Sequence, residues 1–127
     1  MKHSPGFLSM VQEAATRVKE LTLEQARERL QASPETLLVD VREDREWSAG
    51  HATGALHLGK GVLERDIEQA IPDNSRPVIM YCGGGYRSIL TADVAQQMGY
   101  CEVYSLAGGF RAMLEAGWPM EIQAKDS

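Results

Sequence analysis

The chain has 127 residues, enough for one domain with a real core and too few for two. A formal net charge of −5 without any run of Lys or Arg argues against nucleic acid as a partner, and no apolar stretch approaches the roughly 20 residues of a membrane span. The two cysteines, Cys82 and Cys101, make no disulfide framework, and no Cys/His spacing suits zinc, so neither a metal nor a cofactor is expected.

The first twenty residues lack the uninterrupted apolar core and small-residue cleavage site of a secretory signal, which makes the cytoplasm the expected compartment. Leu8, Val11, Ala15 and Val18 recur at three-and-four spacing, with Gln12, Glu13, Arg17 and Lys19 on other faces. This predicts an amphipathic helix within 7–21, although 18–21 reads equally well as a short edge strand. We therefore divide the chain into a helical extension (1–17), a main domain (18–122) and a flexible polar tail (123–127). The extension either docks on its own domain, the default reading, or pairs with another chain.

Thr22 and Gln25 have the spacing of a capping box, and Leu23, Ala26 and Leu30 form one apolar face, predicting a helix over 23–32. Leu37-Leu38-Val39-Asp40-Val41 is almost continuously apolar, the pattern of a strand buried on both faces of a parallel sheet. A weaker strand follows at 55–58. Val62, Leu63, Ile67, Ala70 and Ile71 have helical spacing up to Pro72, and Asp73-Asn74-Ser75 is loop chemistry. The clearest strand is 78–81 and the clearest helix 88–98, which Gly99 ends. Another strand covers 103–106, Gly108-Gly109 turns the chain, and a last helix at 110–116 stops before Gly117 and Pro119. Strands alternating with helices predict an open, mostly parallel α/β sheet with helices on both faces. Ligands of such sheets bind beyond the carboxyl ends of the strands, where Cys82 stands.

Cys82 opens a glycine-rich loop, CGGGYRS, between that strand and the helix after it. Each glycine would cost roughly 0.5–1 kcal/mol inside a regular element, so Gly83, Gly84 and Gly85 point to a tight loop. The first unpaired N–H groups of the helix and the positive end of its dipole face the loop, which makes Gly83 to Ser88 a candidate anion cradle around a thiol. Arg87 in the first helical turn opposes the dipole, and broken local rules tend to mark functional sites. It either serves an anion at Cys82 or turns outward to a surface carboxylate. Tyr86 either lines the entrance or covers the core.

Three stretches, in order, resemble the rhodanese homology domain, the sulfurtransferase family that carries sulfur as a cysteine persulfide. LLVDVRED with GHATGALHL resembles the family's Asp-Val-Arg strand and Gly-His turn; CGGGYRS resembles its active-site loop, with four residues between the Cys and a basic residue; SLAGGFRAMLEAGWPM resembles its Gly-Gly turn and Gly-x-Pro ending. The resemblance runs from about Val18 to Met120. It implies a rhodanese-like fold and a sulfurtransferase in which Cys82 is the nucleophile. Backbone N–H groups from Gly83 to Ser88 would hold the thiolate and then the persulfide, and Arg87 would help bind an anionic donor such as thiosulfate. The persulfide is a covalent intermediate, and the acceptor would be a thiol, a protein thiol or cyanide. Oligomeric state stays open.

Thr53 replaces a common Pro and Met113 a frequent Trp. Gly84 stands where some thiosulfate-preferring members carry a second basic residue, which weighs against thiosulfate as the natural donor. Asp40 and Arg42 read as a structural polar pair under the loop, His51 as a hydrogen-bonded structural His, and Gly50, Gly54, Gly108 and Gly109 as turn residues. Cys101 reads as structural rather than as a resolving thiol. Cysteine-dependent phosphatases and arsenate reductases use a loop one residue longer. A non-catalytic or redox-sensing module of the same fold is the other alternative.

Overall fold

The computed structural model describes residues 3–122, so the flexible tail expected at 123–127 lies outside the described residues. In chain order the elements are α1 (Pro5–Ala15), β1 (Lys19–Leu21), α2 (Leu23–Ala32), β2 (Leu37–Asp40), α3 (Asp44–Ala49), β3 (His51–Ala52), β4 (Leu56–His57), a 3-10 turn (Lys60–Val62) running into α4 (Leu63–Ala70), β5 (Val78–Tyr81), α5 (Arg87–Gln97), β6 (Val103–Leu106), α6 (Gly109–Glu115) and β7 (Met120–Glu121). Five strands form one parallel sheet in the order β1-β6-β5-β2-β4, and β3 pairs with β7 in a separate antiparallel ribbon.

Successive side chains of a strand point to opposite faces, and here both faces are covered. Val39, Val78, Met80 and Val103 join one apolar cluster with Val11 of α1, Leu63 and Ile67 of α4, and Ile89 and Ala92 of α5. Leu38, Ile79, Tyr81, Tyr104 and Leu106 join a second with Ala26 of α2 and Met113 of α6. The N-terminal helix thus packs on its own domain. Its end is also tied down, because Arg17 donates to both carboxylate oxygens of Asp93 on α5 at 2.9 and 2.8 Å.

The helix expected within 7–21 is shorter than its apolar spacing suggested. It stops at Ala15, where the Thr16 hydroxyl donates to the Glu13 carbonyl, and residues 19–21 pair with β6 as an edge strand. Two features are missing from the sequence reading. Helix α3 buries none of its six residues, so it has no apolar period to detect; the Glu46 carboxylate holds its start by accepting the Glu43 N–H at 3.0 Å. The β3–β7 ribbon has two residues per strand and exists only through the non-local pairs His51 with Glu121 and Ala52 with Met120.

Two interactions fix the carboxyl edge of the sheet. Behind it, Asp40 and Arg42 are 0% and 4% exposed and pair through Nε, Nη2 and the Arg42 backbone N–H at 2.8–3.1 Å. Arg42 Nη2 also donates to the Gly50 carbonyl at 2.6 Å, and its guanidinium lies 3.9 Å from the Phe110 ring centroid, so one side chain joins β2, the end of α3 and α6. In front, the first N–H groups of α6 hold the loop after β5: Phe110 donates to the Cys82 carbonyl at 2.7 Å and Arg111 to the Gly83 carbonyl at 3.1 Å. Only glycine fits at 109, where φ is +53° and a Cβ would stand 2.3 Å from the Cys82 carbonyl oxygen.

Gly109→Ala is expected to lower stability by roughly 2–5 kcal/mol, the left-handed strain plus overpacking. Gly117→Ala, at φ +73° with nothing within 4 Å, should cost only about 1–2 kcal/mol. Urea unfolding of the two variants checks this, and equal losses would contradict it. By the same assay Arg42→Ala should cost about 3–5 kcal/mol, because it strands a buried carboxylate.

Candidate active site

Cys82 follows the last residue of β5 and is 1% exposed, yet its sulfur is not enclosed by hydrocarbon alone. The Gly85 N–H donates to Sγ at 3.1 Å and the Ser88 N–H at 3.4 Å, and the Ser88 hydroxyl lies 3.4 Å away. Ser88 is in the first turn of α5, so its N–H is one of the groups that a helix start leaves unpaired. The Ser88 hydroxyl continues to Ser105 Oγ on β6 at 2.8 Å, with both serines buried. Gly85 reaches the sulfur because its backbone is at φ +102°, with a Cβ position only 3.1 Å from the Gly108 nitrogen. Among the described residues no side-chain base touches Sγ, and its polar partners are two peptide N–H groups and one hydroxyl.

Cys82, Gly83 and Gly84 form part of the wall of a cleft of about 860 Å³. Tyr86 lines this cleft, and His3 and Phe7 from the N-terminal segment stand beside its ring at 4.7 and 6.5 Å between centroids. Arg111 lines it from α6 and Glu46 from α3. Of the two arrangements left open by its sequence context, Arg87 shows the pairing with a carboxylate, here one at the cleft. Its Nη2 lies 3.1 Å from the Cβ position of Gly83, and its guanidinium is bidentate to Glu46, Nη1 to Oε1 at 2.8 Å and Nη2 to Oε2 at 3.1 Å. The hydrogen-bonded guanidinium holds the Glu46 carboxyl down at about 2, against the opposing effect of burial. Arg87 is raised in turn, first by that hydrogen bond.

The loop therefore brings Cys82 and residues 83–88 together, while Asp40, Arg42 and His51 do not line the cleft. His51 is buried and stacked on Trp47 at 3.4 Å; its Nδ1 donates to the Trp47 carbonyl at 2.9 Å, and Nε2 lies 3.3 Å from a Glu121 carboxylate oxygen. Cys101 is exposed and precedes β6, at the amino end of the sheet, whereas Cys82 is at the carboxyl end. Among the described residues no group of three or more His, Cys, Asp or Glu is placed to hold a metal ion, and no helix is long and apolar enough to cross a membrane.

The sequence reading missed Glu46, Ser105 and Arg111. The Glu43/Glu46 spacing is that of a helix start and could have suggested α3, though not its partner across the cleft. Ser105 is a small polar residue in the strand Val103-Tyr104-Ser105-Leu106, and Arg111 follows directly on the Gly-Gly turn and Phe110.

Residues 22–116 match the family model described as Rhodanese-like domain. Among solved structures, a Rhodopseudomonas palustris protein of unknown function, described as a possible tyrosine phosphatase, is 30% identical with a TM-score of 0.79, covering 95% of this chain and 98% of that one. The polysulfide-sulfur transferase homodimer of Wolinella succinogenes is 26% identical with a TM-score of 0.76, covering 94% and 89%. The thiosulfate sulfurtransferase of Pseudomonas aeruginosa shares the fold at 24% identity and a TM-score of 0.77, covering 89% of this chain and 22% of that one. With a parallel sheet that sets a cysteine loop at its carboxyl edge, and with the family match spanning most of the domain, the chain belongs to the rhodanese-like domain family.

Proposed function

We propose that the protein is a sulfurtransferase of a reducing, cytoplasmic compartment that carries a sulfane sulfur as a persulfide on Cys82. The observation that carries the reading is the sulfur itself, hydrogen-bonded by the Gly85 and Ser88 N–H groups beside an open cleft. The thiolate is the reactive form of cysteine, and peptide N–H groups at a helix start favour it without a general base. With thiosulfate, the Cys82 thiolate attacks the outer sulfur, the bond to the sulfonate sulfur breaks, and sulfite leaves with the electron pair. A thiolate or cyanide acceptor then attacks the outer sulfur of the persulfide and regenerates the Cys82 thiolate. Charge is conserved in both steps, so no proton or outside oxidant is needed.

A phosphatase reading has one point in its favour, the description of the Rhodopseudomonas palustris relative. Loop size supports the sulfur reading instead. Four residues separate Cys82 from Arg87, one fewer than in a cysteine-dependent phosphatase loop, and the smaller loop suits one sulfur atom better than a tetrahedral phosphate. Arg87 is also engaged by Glu46 instead of waiting for phosphate oxygens.

Intact-mass analysis tests the proposal. After brief exposure to thiosulfate or another sulfane donor, the protein should gain one sulfur atom, lose it to cyanide or a thiol, and gain none as Cys82→Ser. Ser88→Ala, which keeps the N–H and removes the hydroxyl, should slow loading roughly fivefold, the worth of one hydrogen bond of about 1 kcal/mol. Absence of sulfur uptake together with Cys82-dependent turnover of an aryl phosphate would overturn the reading.

A further inference from the structure

The guanidinium of Arg87 is not a free cation at the mouth of the cleft. Two of its donors are committed to the Glu46 carboxylate, and the side chains of the pair are 30% and 31% exposed, so solvent and small anions reach it while the pair stays intact. Glu46 has a second tie, since Oε1 also accepts the Glu43 N–H at the start of α3. The carboxylate is therefore fixed by the fold and does not merely drift toward the nearest cation. Its ionisation is secure near neutral pH, because its carboxyl is held at about 2. Arg45, also in the cleft wall, has Glu43 at 3.6 Å, whereas Arg111 has no carboxylate within ion-pair distance among the described residues.

An anion that approaches Arg87 meets the Glu46 carboxylate at nearly the same place. Attraction and repulsion then largely cancel, and what repulsion is left grows with the charge on the donor. We propose that Glu46 is a specificity-determining residue of the cleft: by occupying Arg87 it disfavours small dianionic sulfur donors relative to donors carrying a single charge. The inference rests on the sulfurtransferase reading and narrows its substrate class.

Two donors that present the same sulfane sulfur separate the charge from the chemistry. Thiosulfate is a dianion and releases sulfite; methanethiosulfonate is a monoanion and releases methanesulfinate. In each case the Cys82 thiolate forms the new S–S bond, the donor's S–S bond breaks, and the leaving group takes the electron pair. The test compares kcat/KM for the two in the wild type and in Glu46→Gln, which keeps an oxygen acceptor for the Glu43 N–H while removing the charge. The ratio of thiosulfate to methanethiosulfonate should rise about tenfold in the variant. A purely structural role for Glu46 would change both donors alike.

In the wild type, sulfate should inhibit sulfur loading no better than methanesulfonate, a measurement independent of whether the variant folds. An unchanged or lowered ratio, or sulfate inhibiting about tenfold better, would overturn the inference while leaving the sulfurtransferase reading in place. Failure of both donors to load sulfur on Cys82 of the wild type would overturn the two together.

Discussion

The Cys82 carbonyl accepts the Phe110 N–H at 2.7 Å, and the arrangement around the sulfur depends on that hydrogen bond. With the Gly83 carbonyl bound to Arg111 in the same way, two successive peptide units of the loop have their oxygens turned toward α6. Peptide planarity then turns the N–H groups of Gly83 and Gly84 away from α6. The loop folds back from there, so that the Gly85 and Ser88 N–H groups meet Sγ. A helix start usually leaves its N–H groups to solvent or to a cap. In α6 they anchor the loop, and in α5 they serve the sulfur. Gly109 permits the first arrangement and Gly85 the second, each at a positive φ and with another backbone segment within van der Waals distance.

Electrostatics at the same edge follow a similar division. The Asp40–Arg42 pair is buried behind the loop, where its hydrogen bonds extend to Gly50 and its guanidinium lies on Phe110, so its charge is spent on fixing elements rather than on a ligand. Arg87 stands in front of the loop, where its charge is tempered by Glu46. A first-turn cation opposes the helix dipole, and the carboxylate from α3 offsets that local conflict. The cationic group closest to Gly83 is thus a paired one, while Arg111, without a carboxylate partner among the described residues, sits on the helix that holds the loop.

Much of this was legible in the chain. The Thr22/Gln25 capping box forms with both of its hydrogen bonds, at 2.9 and 3.2 Å, because that motif is entirely local. Strand β5 and helix α5 stand where a continuous apolar run and the glycines after it put them, and β2 is buried as an apolar run with one acidic residue implies. What the chain concealed is whatever depends on partners far away in sequence. Nothing in Asp44-Arg45-Glu46 points across the cleft to Arg87, and the two-residue strands β3 and β7 have no periodicity of their own. The early end of α1 belongs to the same class: the apolar spacing continues to Val18, but pairing of 19–21 with β6 outweighs one more helical turn. Within the loop, composition pointed to a cradle, while the specific N–H donors, Gly85 and Ser88, emerge only from the backbone path.

The most direct test of the account follows the amide protons of the loop in labelled protein while the Cys82 thiol is titrated. If the loop amides hold the ionised sulfur, the Gly85 and Ser88 resonances should shift with the same midpoint as the Cys82 Cβ carbon and stay flat in Cys82→Ser. A Cβ carbon that titrates while both amides remain still would contradict it.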